Sequence, residues 1–120
     1  MLASEICYAL LEPHFKCGPH PLPKGEDLSN GYVTYQDISI IPEMAVDGWL
    51  GFDQVRVQVN VFNHQSLKAS QDANQIKKIF TKQNSYSGCV VIGQRSDFDT
   101  ETMLYVQQID FYMTQSDNSC

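Results

Sequence analysis

Near the start of the chain, His14, Cys17 and His20 stand at a spacing that suits a metal ion, with Cys7 upstream. A His-x2-Cys-x2-His run could wrap zinc, which takes imidazole nitrogen and thiolate sulfur in tetrahedral sites. The plainer reading, three polar loop residues among prolines, is preferred, because short spacing matches arise often by chance. Nucleophilic catalysis would need a pairing such as Cys17 with His64, and nothing in the spacing brings those two together. Asp97, Asp99 and Glu101 alternate as calcium ligands do. The glycine turn and distal glutamate of an EF-hand are missing, so a solvated hairpin loop over residues 94–101 is expected instead. There is no glycine-rich phosphate cradle and no G-x-S-x-G elbow. Tyr32, Tyr35, Tyr105, Phe111 and Tyr112 lack the interleaved basic residues of a platform for single-stranded nucleic acid. The expectation is no enzyme, no cofactor and no metal.

Bulk properties narrow the remaining classes. The 120 residues favour a single domain with one core. Hydrophobic residues make up 42% and charged residues 18%, a globular balance. A net charge of −6 and a pI near 4.8 oppose capture of a nucleic-acid duplex through a basic patch. An acidic chain can still surround DNA and let it pass. No apolar run approaches the roughly 18 residues of a membrane span, and residues 1–11 lack the basic start of a secretory signal. The four cysteines fall at irregular spacing, with Cys7 and Cys89 expected as small core residues and Cys120 on a frayed tail.

The elements that must position these residues follow from periodicity. Leu2, Ile6, Ala9 and Leu10 have helical spacing over residues 2–12, closed by Pro13. Residues 13–30 form a long Pro- and Gly-rich connection. Residues 32–41 predict a strand with a bulge, ended by Pro42. Residues 54–63, Q-V-R-V-Q-V-N-V-F-N, alternate strictly, so Val55, Val57, Val59 and Val61 face a core and Arg56, Gln58 and Asn60 face the other way. Between these strands a wide hairpin over 43–53 carries Trp49, Leu50 and Phe52. Trp49 either folds back over the core or stays at an assembly surface.

A helix over 65–83 is expected, capped by Asn63 or Ser66, with Leu67, Ala69, Ala73, Ile76 and Phe80 as its apolar stripe. Lys77, Lys78 and Lys82 suit its negative pole. Cys89 to Gly93 reads as a short buried strand. A last strand over 103–115 puts Leu104, Val106, Ile109, Phe111 and Met113 on one face if a bulge sits near Gln107-Gln108. The predicted fold is α+β in the order α-β-β-α-β-β: a four-stranded, mainly antiparallel sheet with two helices packed on one face. It spans residues 1–115, followed by a disordered tail over 116–120.

With its strand and helix in that order, R-V-Q-V-N-V-F-N-H-Q-S-L-K-A-S-Q-D-A-N-Q-I-K-K-I-F (residues 56–80) resembles the tail-terminator or tail-completion proteins of long-tailed, siphovirus-like bacteriophages. The alternating strand ends in an aromatic, Phe62, and the following helix bears Ala69 and Ala73. A short helix, a Pro-rich loop and the strand Gly31-Tyr32-Val33-Thr34-Tyr35 precede it, so the similarity runs from Leu2 to Met113. The resemblance implies a structural virion protein, a ring, commonly a homohexamer, at the head-proximal end of the tail. Such a ring caps the tail tube, stops its polymerisation, meets the head–tail connector and lets DNA pass through its lumen. It also implies assembly in the bacterial cytoplasm, where the cysteines would be reduced thiols. Arg56, Gln58 and Asn60, the hairpin residues Trp49, Leu50 and Phe52, and Asp97, Asp99 and Glu101 are the candidate contacts with neighbours, tube or lumen. The alternatives are a head–tail connector or neck protein and, further off, a small metal- or ligand-binding α+β domain.

Overall fold

A computed structural model describes residues 1–116 as α1 (Ala3–Leu11), β1 (Cys17–Pro19), β2 (Tyr32–Ala45), β3 (Gly48–Asn63), α2 (Ser66–Lys82), β4 (Val90–Asp99) and β5 (Leu104–Ser116). The fold is α+β, with both helices on one face of a sheet ordered β1-β2-β3-β5-β4. The sheet has five strands rather than the expected four. The additional strand, β1, runs parallel to β2 and pairs Cys17 with Val33 and Pro19 with Tyr35. All other pairings are antiparallel.

The valine alternation builds the core as its period requires. Val55, Val57 and Val59 lie directly opposite Met113, Phe111 and Ile109 of β5, and all six are buried beneath the helices. From above, α1 contributes Ala3, Ile6, Cys7, Leu10 and Leu11, while α2 contributes Ala69, Ala73, Ile76 and Phe80. Phe80 stacks on Phe111 with ring centroids 4.7 Å apart. The first free amide of α1, at Leu2, donates to the Glu5 carboxylate at 2.9 Å. Before α2, the Asn63 side-chain oxygen accepts from the Gln65 amide at 3.0 Å, which turns the chain from strand into helix.

Several expectations change. Pro42 does not end β2, because beyond Tyr35 that strand is a sheet edge whose outward amides need no partner, and proline is tolerated there. The wide hairpin is therefore a long one, with Val46 and Asp47 as its turn. Residues 94–99 are strand rather than loop, and β4 is an exposed edge rather than a buried strand. The irregularity expected in β5 lies instead in β4, between Val91 and Gly93. β5 keeps its register, and Leu104 and Val106 simply face away from the helices, packing with Phe62, Leu22 and Leu28. Leu67 is 70% exposed and takes no part in the core. Ser116, assigned to the tail, ends β5 and accepts a hydrogen bond from the N-terminal amine. Cys120 and the rest of that tail lie outside the described residues.

At Gly31 the backbone has φ +87°, and an added Cβ would sit 2.8 Å from both the Phe62 carbonyl oxygen and the Asn63 side-chain nitrogen Nδ2. Gly31→Ala is expected to lower stability by about 1–3 kcal/mol, since it combines a left-handed backbone with a clash against β3. Chemical denaturation checks this, and an unchanged midpoint would contradict the geometry.

Candidate functional site

Beyond the core the β2–β3 hairpin continues as an arm. From Gln36 to Ala45, β2 pairs only with β3 among the described residues, and burial in β3 becomes continuous only from Val59 onward. The arm stretches the molecule to 51 × 27 × 26 Å. The Cα radius of gyration is 15.2 Å, against about 13.6 Å for a compact domain of this length. Ile38, Ile40, Ile41, Met44, Val46, Trp49 and Leu50 are all exposed along it. Trp49 does not cover the core. It is 47% exposed, and its indole N–H donates to the Phe52 carbonyl oxygen at 3.2 Å and to Asp53 Oδ1 at 3.0 Å. Leu50 is exposed and Phe52 half-buried.

The sheet face turned away from the helices is polar and cross-linked from strand to strand. Gln36 Nε2 donates to Gln58 Oε1 at 3.2 Å, and Gln58 Nε2 donates to Asp110 Oδ1 at 3.3 Å. Arg56 Nη2 reaches Asp110 Oδ2 at 2.6 Å. That hydrogen bond, with the carboxylate charge behind it, pushes the guanidinium pKa further up. Arg95 donates from Nε and Nη2 to Gln108 Oε1 at 2.9 and 2.6 Å. Amide side chains thus tie β2, β3, β5 and β4 into one plate and leave little net charge on it.

Asn60 is only 1% exposed. Its Nδ2 donates to Thr34 Oγ1 at 3.3 Å, and Thr34 in turn meets His20 Nδ1 at 3.2 Å. It braces the polar face from within. The loop before β2 closes this end of the face, where Leu22 and Leu28 cover Phe62, Leu104 and Val106. Sequence periodicity missed that cover, although two leucines in an otherwise polar connection were its signal.

Asp97 and Asp99 lie on β4 opposite Val106 and Leu104, with their side chains on the polar face. Each folds back on the local backbone, Asp97 accepting from the Phe98 amide and Asp99 from the Glu101 amide. Glu101 sits in the turn that follows. These three residues occupy the Asn63 end of β3, whereas Trp49, Leu50 and Phe52 occupy its opposite end. The candidate residues therefore form separate surfaces: the arm tip, the amide plate and the acidic rim.

The His14–Cys17–His20 run is taken apart by the fold. His14 lies beside Phe15, Cys17 is in β1 against the core, and His20 is engaged by Thr34. Among the described residues, no group of three or more His, Cys, Asp or Glu side chains is placed to hold a metal ion. Burial, with lesser effects from Cys89, Asp37 and Cys17, pushes the Cys7 thiol far up, so it stays protonated. Burial also pushes up Cys17 and Cys89. Among the described residues no helix is long and apolar enough to cross a membrane. No protein-family model matches this chain, and neither does any curated protein sequence.

Proposed function

We propose that this chain is a structural protein of a bacteriophage tail, a terminator that assembles into a homohexameric ring. The ring caps the tail tube, ends its growth and gives the head–tail connector a surface to meet. One observation carries the reading: a small α+β core projects a long apolar arm and leaves both edges of its sheet open. The outer edge of β2 beyond Gln36 and the whole outer edge of β4 have no strand partner among the described residues. Open edges and exposed apolar side chains are liabilities in a monomer and contacts in an assembly. Because the two edges differ, pairing them joins copies head to tail, and a head-to-tail contact closes into a ring when its rotation allows.

The resemblance of residues 56–80 to tail terminators points the same way. Net acidity together with a hydrogen-bonded amide plate suits a lumen through which DNA slides without being held. Under this reading the partners are the chain itself, the major tail-tube protein and the connector, and there is no catalytic step.

Analytical ultracentrifugation and negative-stain microscopy of the purified protein, alone and with tail-tube protein, test the proposal. The expected result is a closed ring in at least one condition and shortened or capped tubes when the protein is added during polymerisation. A protein that stays monomeric at high concentration and leaves tube length unchanged rules the reading out.

A further inference from the structure

Charge is segregated in this chain more sharply than its total suggests. From Gly25 to Val55 there is no lysine or arginine, and the arm with its root carries Asp37, Glu43, Asp47 and Asp53. Four of the chain's eight cationic side chains sit on α2: Lys68, Lys77, Lys78 and Lys82. Lys68 is paired with Asp72 at 3.1 Å. The other three form no ion pair among the described residues, whereas Lys16 and Arg56 are paired and Arg95 is held by Gln108. Lys78 and Lys82 lie four apart on the exposed face of α2.

We infer that the arm of one copy docks on the outer face of α2 of the next copy, acidic arm on basic helix. The inference rests on the ring reading and names the surface that sets its direction. Three observations meet here. The arm is both apolar and uniformly acidic, so its complement is a surface with unpaired cations, and α2 offers three together. Of the two helices it is α2 that packs over β4, the open edge at the far side of the sheet. A neighbour's β2 edge laid along β4 therefore brings the arm beside α2. The strand register also places Asp37, Ile40 and Asp53 on the helix-side face of the hairpin, opposite Val57, Val55 and Pro42. That is the face turned toward such a helix. The contact joins different surfaces on the two copies, so it propagates in one sense around a ring.

Charge exchange tests it on the full chain. Glu43→Lys with Asp47→Lys, and separately Lys78→Glu with Lys82→Glu, are expected to raise the concentration for half-assembly roughly tenfold or more each. Combining the four substitutions, or mixing the two double variants, is expected to restore assembly toward wild type. Asp47, Lys78 and Lys82 are exposed and Glu43 is half-buried, and circular dichroism and the thermal midpoint confirm folding of each variant. Carbodiimide cross-linking of mixed 14N- and 15N-labelled protein gives a second readout. Cross-links between Glu43 or Asp47 of one copy and Lys77, Lys78 or Lys82 of another are expected. A ring that forms normally in both double variants, or an arm that cross-links only to added tail-tube protein, overturns this contact and leaves the ring reading standing. A wild-type chain that never assembles removes both.

Discussion

Phe111→Ala is expected to cost about 3–5 kcal/mol of folding stability, the largest loss of any single substitution considered. Phe111 is fully buried and lies opposite Val57 in the middle of β5, and its ring stacks on Phe80 of α2 at 4.7 Å. Truncation removes that transfer free energy and leaves a cavity that two rigid strands and a helix cannot collapse. It also breaks an aromatic pair worth about 0.5–1.5 kcal/mol beyond its area. A domain of this size holds only about 5–15 kcal/mol in total, so the variant should approach the limit of folding. Urea denaturation measures it, and a loss below about 1.5 kcal/mol would mean that α2 does not seat on β5 as described. Leu67→Ala is the control. Helical spacing puts Leu67 in the same apolar stripe as Phe80, yet it is 70% exposed, so its replacement should change stability by no more than about 0.5 kcal/mol.

Those two residues show how much of the fold was legible in the sequence. Where one face of an element is apolar and the other polar, the period in the sequence is the period in space. Val55 to Val61 and Ala69 to Phe80 therefore mark β3 and α2 correctly. The rule fails where an element is apolar on both faces, or polar on both. In β5, Gln107 and Ile109 face the helices, while Leu104 and Val106 are buried on the opposite side by the loop carrying Leu22 and Leu28. Apolar residues from two faces then mimic one face with a bulge. Over residues 94–99 both faces of β4 are largely exposed, so a strand there carries the composition of a loop.

Other features depended on partners distant in sequence. β1 is three residues long and includes glycine and proline, so its strand state comes from pairing with Val33 to Tyr35. Pro42 reads as a strand end only if the outward side of β2 is assumed to be paired. The candidate site was legible in part for the same reasons. Alternation placed Arg56, Gln58 and Asn60 on one face, but only the cross-strand partners Asp110 and Thr34 distinguish an ion pair on that face from a buried brace. The length of the arm was hidden behind Pro42, and with it the setting of Trp49.

Deleting the arm tip is expected to separate folding from assembly. Replacing residues 43–52 by Asn-Gly joins Pro42 to Asp53, which already face each other in the register, through a two-residue turn of the kind hairpins favour. The junction preserves the hydrogen bond from Gln115 Nε2 to Asp53 Oδ2, and the core valines of β3, Val55 to Val61, all lie beyond it. The thermal midpoint of the monomer should therefore stay within a few degrees of the wild type. Assembly should fall at least a hundredfold, because the deletion removes Met44, Trp49 and Leu50. Each would bury up to about 1.5–3 kcal/mol of apolar surface at an interface, and Trp is a residue type on which interface energy concentrates. Trp49 is the only tryptophan in the chain, so the intact protein reports the same event directly. Its emission should shift to the blue as concentration drives assembly and the half-exposed indole loses water. A truncated chain that still forms rings, together with an emission maximum unmoved by assembly, would show that the arm tip stays in solvent and that the open sheet edges alone hold the copies together.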